Sequence, residues 1–371
     1  MPFDPFDQSV INRLPKAEDL ERTYGVQVNA LGVDDLFSLY ERTGFLYPDK
    51  AARLLPYLER VRDNWRRMLS AGESLLYVLT AGDDEHGRAS LAVWRTAQHG
   101  CISQHLVSEN NPFASRAVLL AAAAKTILEA DYGSAQNWFR PENRFPARVF
   151  GSMVQTIGES LSSVQRHVYF ALPKRVSVQP ESGIRLVPYT PSQKDALSAI
   201  ASGARGSVYI AAEELLSDPE FAAVDELYRH VGLSRQRRIW LAYREYKDEP
   251  IGAAIVYRGP LGLNFSYIEN RCDLLLDPTL PDSEVPGVVS SLLHTAMEAY
   301  RDFELDEIPV IAEQIASPAL FHIGAEFLRN YCQGIWLGEG HPRFYRHVDA
   351  FYTKLLARAE RHATMHASVS L

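Results

Sequence analysis

Hydrophobic and polar positions follow the same order twice along the chain, once over residues 73–170 and again over 238–337. Each copy opens on a strand-like apolar run, Ser74–Thr80 and Arg238–Arg244, and continues into an acidic turn, Gly82–Gly87 and Lys247–Gly252. Two more strand-like runs, an apolar helix and a last strand ending in Tyr169-Phe170 or Ile335-Trp336 complete the copy. A period of about 170 residues is too long for a solenoid and predicts two copies of one domain.

Between these landmarks the pattern predicts helices over 34–69, where apolar residues recur at helical spacing. Strands are expected at 75–80, 89–97 and 102–107, with Gly87 and Gly100 at turns, which is a meander signature. Helices follow at 115–130 and 146–157. Pro173–Gly183 has the Pro, Ser and Gly content of a linker, so the expected units are 1–172 and 184–371. The second unit adds an opening strand at 184–190, helical material over 191–232, strands at 239–243, 252–257 and 263–276, and a helix at 287–300. A strand at 308–313, a helix at 317–323, a closing strand at 326–336 and a C-terminal helix at 344–361 end the chain. The fold class is α/β (α+β): two units, each a mixed, mostly antiparallel sheet flanked by helices.

Composition narrows the functions. With 371 residues, 46% hydrophobic and 23% charged, the chain can bury two ordinary cores. A formal net charge of −8 argues against nucleic-acid binding, which rests on clustered Lys and Arg. The apolar stretch 117–124 is far short of the roughly 20 residues that span a bilayer, and the first residues lack a secretory pattern, so a cytoplasmic location is expected. Cys101, Cys272 and Cys332 have neither disulfide-framework nor zinc spacing, and are expected as buried thiols. His362 and His366, four apart, are a weak metal pair without a third ligand. The sequence leaves the oligomeric state open.

The order of elements resembles that of the GNAT superfamily of acyl-CoA N-acyltransferases, and the ends of the two units carry the likeness best. In that family the last helix often begins with Asn, has Ala soon after, and leads to a Gly and a strand; here Asn143-Arg-Phe-Pro-Ala147 leads to Gly158, and Ser317-Pro-Ala319 leads to Gly324. The resemblance implies acetyl-CoA or another acyl-CoA as co-substrate and a small-molecule or protein amine as acceptor. It implies cofactor contacts at Val107, Asn111, Ser115, Arg116 and Asn143 in the first unit, and at Leu276, Gly287 and Val288 in the second. In the loop where family members place glycines and a basic side chain, Glu109–Arg116 has no glycine, and Pro112 removes an amide donor. The second unit keeps Gly287 but sets Asp282 and Glu284 there. Both loops also read as ordinary helix entrances capped by Asn111 or Ser283.

Candidate bases lie on the central strands: His105 and Glu109 in the first unit, Glu269 and Asp273 in the second. Alternation should put Tyr267, Glu269 and Arg271 on one strand face. The family's usual Tyr acid has Phe near its position in both units, at Phe150 and Phe321. Trp138–Phe145 concentrates aromatic rings and arginines beside Asn143 and is the binding-site candidate of the first unit, suited to a nucleotide or an acidic ligand. His341–His347 is a basic and aromatic cluster that also reads as a solvated helix entrance. Two functions remain: an acyl-CoA-dependent N-acyltransferase, or a catalytically degenerate binding or regulatory protein on the same fold.

Overall fold

The computed structural model describes residues 14–129 and 131–369. Among the described residues twelve strands form one sheet. They are β1 (Val26–Val28), β2 (Leu76–Asp83), β3 (Gly87–Ala97), β4 (Gly100–Ser108), β5 (Ser134–Phe139), β6 (Ser162–Pro173), β7 (Ile184–Pro188), β8 (Gln236–Arg244), β9 (Pro250–Arg258), β10 (Cys272–Leu276), β11 (Glu307–Ala312) and β12 (Glu326–Leu337). The helices that bear on the argument are α1 (Leu20–Tyr24), α2 (Val33–Arg42), α3 (Pro48–Leu54), α4 (Leu58–Ser70), α5 (Pro112–Leu128), α6 (Arg144–Val149), α7 (Val154–Ile157), α8 (Lys194–Ala212), α9 (Ala222–Arg229), α10 (Val285–Ala299), α11 (Ser317–Ile323) and α12 (His341–Val369).

The sheet order is β1-β2-β3-β4-β5-β12-β6-β11-β10-β9-β8-β7. Every neighbouring pair is antiparallel except β4 with β5 and β10 with β11, so each unit repeats one mixed arrangement. The closing strands are exchanged: β12 of the second unit pairs with β5 of the first, and β6 of the first unit pairs with β11 of the second. β6 and β12 also pair with each other over most of their length. A mixed, mostly antiparallel sheet was expected in each unit, and the two are joined edge to edge. One continuous sheet forms because each of these long strands pairs on both edges and leaves none exposed at the join.

Period-2 burial accounts for the layers. In β2, Leu76 and Val78 point to one face, and Tyr77 and Leu79 to the other. The first face carries α2, α4, α8 and α9 over a single apolar cluster that runs across both units, from Phe37 and Trp65 to Leu197 and Tyr228. The opposite face has two clusters. One lies under α5 and α12 and includes Val118, Leu119, Phe344 and Val348; the other lies under α10 and α11 and includes Val288, Leu292 and Leu320. Helix α5 is apolar nearly all round because it is covered by β2, β3 and α12.

Several local expectations change. The expected strand at 263–276 shortens to Cys272–Leu276, since Tyr267 has φ 55° and Ile268–Asn270 form a single tight helical turn. The expected helix 146–157 is split into α6 and α7. Helix α8 is broken at Gly206, whose φ of 80° and ψ of 171° are open to glycine at no steric cost. The three-residue β1 is too short to show an alternation in the sequence.

Candidate functional site

Strands β4 and β5 run parallel for three residue pairs, Gly100 with Ser134 to Ile102 with Gln136, and then part. A bulge drives the parting. On β3 the register passes from Ser90↔Val107 to Ala92↔Gln104, so His105 and Leu106 face a single residue and His105 takes φ 58°. Two side-chain amides bridge the gap at its base: Gln104 Nε2 donates to the Trp138 carbonyl at 2.9 Å, and Asn137 Nδ2 donates to the Ser103 carbonyl.

The gap opens into a cleft of about 360 Å³. Ser115, Phe145 and Phe150 line it from the face that carries α5, and Phe45, Lys50 and Phe265 line it from the face that carries α2 and α4. The cleft therefore crosses the sheet. Asn264, Phe265, Ser266 and Tyr331 come from the second unit, so its wall is composite. Among the described residues that line it there is no Asp or Glu.

His105 is 3% exposed and held between rings, with centroids 4.5 Å from Phe265 and 5.6 Å from Trp65 in stacked geometry. Burial first, and the charge of Lys50 second, hold its imidazole well below the usual histidine range, so it is neutral. His105 Nδ1 and Asn137 Oδ1, of two residues that line the cleft, are buried without hydrogen-bond partners, which marks the parting as a polar slot with bonds to offer. Tyr331 donates to Ser266 Oγ at 2.7 Å. Lys50 Nζ sits 3.9 Å from the Phe45 ring centroid; burial, then Arg329 and Arg140, bring its amine down to about 7.

The entrance from the α5 side is more closed. Asn111 caps α5 by accepting from the Ala114 amide at 2.9 Å and donates to the Gly87 carbonyl at 2.9 Å, as the capping interpretation expected. Ser115 and Tyr352 hydroxyls are 2.6 Å apart, and Arg116 Nη2 lies 2.7 Å from Asp349 Oδ1, so α12 engages both expected cofactor residues. The inner slot, with the unpartnered His105 Nδ1 and Asn137 Oδ1, has bonds to offer a thioester arm. The outer cation that a pyrophosphate would need, Arg116, is already paired.

Of the other candidates, Val107, Asn143 and the segment 138–140 line the cleft. Glu109 does not: it accepts from the Arg88 amide at 3.0 Å and from Arg42 Nε at 2.9 Å outside it, and these donors, the backbone one foremost, hold its carboxyl below the usual range. Glu269, expected as a base on a strand face, is also absent from the cleft lining. It lies on the turn rather than a strand face, 1% exposed, and its carboxylate is paired with Arg235. Asp273 accepts from Arg271 Nε at 2.9 Å and from the Tyr209 hydroxyl at 2.9 Å.

Those last contacts belong to a buried charge network where the second unit's own cleft would be. Arg271 also reaches Glu213 at 3.0 Å, Arg205 reaches Glu313 at 2.6 Å, and Arg237 donates to the Glu213 carbonyl at 2.6 Å. Burial raises the Glu213 carboxyl, but Arg271 and Arg237 outweigh it and keep it low. Four arginines, at 205, 235, 237 and 271, face four acids, at 213, 269, 273 and 313. The helix start nearby is also taken. A Cβ on Gly287 would lie 2.9 Å from Glu181 Cγ, Glu181 N donates to Ser291 Oγ at 2.9 Å, and Ser290 Oγ donates to the Gln179 carbonyl at 2.6 Å. Leu276 and Val288 are core residues there. The expected cofactor contacts at Leu276, Gly287 and Val288 give way to the linker and the apolar core, and Glu284 pairs with Arg244 at 2.8 Å. Ser283 does not cap α10.

The sequence missed Lys50, Phe265 and Tyr331, which come from three distant segments. The cluster at 341–347 is the packed start of α12: His341 is 3% exposed, and Phe344 stacks on Trp336 at 4.0 Å. The side chains of His362 and His366 lie outside the described residues. Cys101, Cys272 and Cys332 are buried and free, and no helix among the described residues is long and apolar enough to cross a membrane.

No family model matches the sequence, and no curated protein does. Solved structures do. A Drosophila protein from a structural genomics programme is 14% identical over 83% of this chain and 96% of its own, at a TM-score of 0.43. A GCN5-related N-acetyltransferase from Sphaerobacter thermophilus is 11% identical over 71% and 81%, at 0.39. A tandem GNAT protein from the clavulanic acid biosynthesis pathway is 12% identical over 84% and 98%, at 0.39. The sheet repeats one strand order, with one parallel pair in each unit. The chain folds as two like α/β units in tandem.

Proposed function

We propose that the first unit is an acyl-CoA-dependent N-acyltransferase site and that the second unit is its structural partner. The parting of β4 and β5 after Ile102↔Gln136 carries this reading, because it opens a slot through the sheet where an acyl donor and an amine can meet from opposite faces. Acyl-CoA would supply a thioester whose carbonyl carbon the neutral amine attacks, forming the C–N bond as the C–S bond breaks; the proton lost by the nitrogen passes to the leaving thiolate, so that CoA departs as the free thiol. The chain's part is to hold the two reactants in line and keep water out with Phe150, Phe265 and Trp138. With no carboxylate on the walls, the neutral His105 imidazole is the base nearest the bulge, and a weak one; the amine enters best already deprotonated. The second unit's four acids and four arginines neutralise one another, which suits a supporting role.

A second reading, a catalytically degenerate protein on the same fold, is favoured by one observation: α12 holds Ser115 and Arg116 at the entrance. Calorimetry with acetyl-CoA, followed by thiol release with a panel of amines, separates the two. Micromolar binding and turnover support the acyltransferase. Absence of both with the wild type and with an Asp349→Asn variant, folded by circular dichroism, overturns it.

A further inference from the structure

On the face away from α5, three cations gather around one phenol. The ring of Tyr47 has the guanidinium carbons of Arg140 and Arg329 each 5.9 Å from its centroid and Lys50 Nζ at 5.0 Å. Arg329 also donates to the Tyr47 hydroxyl. The three come from α3, the residue after β5, and β12, so both units contribute. Lys50 and Arg140 line the cleft itself.

The charge around them is not balanced by the chain. Lys50 makes ring contacts but no ion pair among the described residues. Arg140 Nε is buried without a hydrogen-bond partner, and its one carboxylate neighbour, Glu142, is 3.9 Å away on an exposed side chain. The second unit offers the contrast, since Arg205, Arg235 and Arg271 there each meet a buried or half-buried acid at short range. Like charges gathered in a half-buried site repel unless an anion joins them. The lowered Lys50 amine reports that repulsion together with burial.

We propose that Lys50, Arg140 and Arg329 bind the anionic group of the acyl acceptor, so that the acceptor is a small amine bearing a carboxylate, such as an amino acid, rather than a polyamine or a lysine side chain on a basic peptide. The inference rests on the acyltransferase reading for the word acceptor. The acceptor is favoured over the cofactor as the source of the anion because the start of α5, with Arg116, lies on the opposite face. A planar guanidinium suits a carboxylate in two-point contact, and Arg140 has an unspent donor to give.

The test measures thiol release from acetyl-CoA with amino acids and with their amides, and from succinyl-CoA with neutral amines, alongside calorimetry of the amino acids alone. Arg140→Ala, Arg329→Gln and the charge-keeping Arg140→Lys are compared with the wild type, each checked by thermal melting. The expected result is kcat/KM at least about tenfold higher for an acid than for its amide, lost in Arg140→Ala and Arg329→Gln and partly restored in Arg140→Lys. If Arg140→Ala does not fold, Arg329→Gln and Arg140→Lys decide. Equal turnover of acid and amide, unmoved by the variants, overturns the inference and leaves the acyltransferase reading standing. Preference for succinyl-CoA that depends on Arg140 overturns the acceptor assignment by placing the anion on the acyl group. Arginine-dependent binding of amino acids without any thiol release supports the anion site while overturning the acyltransferase reading. Neither binding nor turnover overturns both.

Discussion

Arg116 reaches across the start of α5 to Asp349 of α12, 2.7 Å away, so the first cation of the expected cofactor loop is held by the far end of the chain. The two side chains are 39% and 44% exposed, and such a pair contributes about 0.2–1 kcal/mol. Asp349→Asn releases Arg116 and should tighten acetyl-CoA by up to about fivefold in calorimetry. An unchanged affinity would show that Arg116 does not face the cofactor.

Lys50 carries a built-in cost. Its amine is lowered to about 7 in the folded chain and is near 10.5 when unfolded, so between those values the unfolded state binds more protons and stability rises with pH. Lys50→Met should raise stability by about 2 kcal/mol at pH 7, with the gain shrinking toward pH 10. Urea unfolding at both pH values measures it, and the same gain at both would contradict the shift.

Three histidines make the opposite edge of the pH range fragile. Burial lowers His105 and His167 well below 6.5 and brings His341 to about 4. Below pH 6.5 the unfolded chain takes up protons that these rings refuse, so stability is full above 6.5 and falls as the pH drops toward 4, by up to about 1.4 kcal/mol per pH unit per ring. Replacing His341 by Gln should flatten part of that slope in chemical unfolding curves between pH 4.5 and 7.5. An unaltered slope would assign the acid sensitivity to other groups.

The charge network of the second unit should behave as structure. Asp273→Asn removes one of the acids facing Arg271, leaving a buried guanidinium under-compensated, and should cost about 3–5 kcal/mol of stability. Thiol-release kinetics of the folded variant should stay near wild type. A specific loss of kcat with stability retained would instead bring this unit into the chemistry.

Exchange of β6 and β12 makes the units interdependent. Residues 1–172 alone would lack β12 against β5, exposing a long strand edge, and should not give a cooperative unfolding transition, whereas the whole chain should show one. Coincident urea transitions followed by far-ultraviolet circular dichroism and tryptophan fluorescence check it.

Local pattern determined much of this protein by itself. The strand-like runs of β2, β3 and β8 and the apolar helices α5 and α10 were legible, because each depends on neighbours within a turn or a strand. Cap chemistry at Asn111 was legible for the same reason, as was the aromatic and arginine segment at 138–140 that lines the cleft. The sequence could not show that β6 and β12 trade places, since an edge strand reads the same whichever partner completes it. Nor could it place Glu269, whose strand-like surroundings give way at Tyr267 to a turn and a buried pair with Arg235. Lys50, Arg140 and Arg329 stand far apart in the chain and meet at Tyr47 only because the sheet is continuous across both units, so tertiary structure alone decided where the uncompensated charge lies.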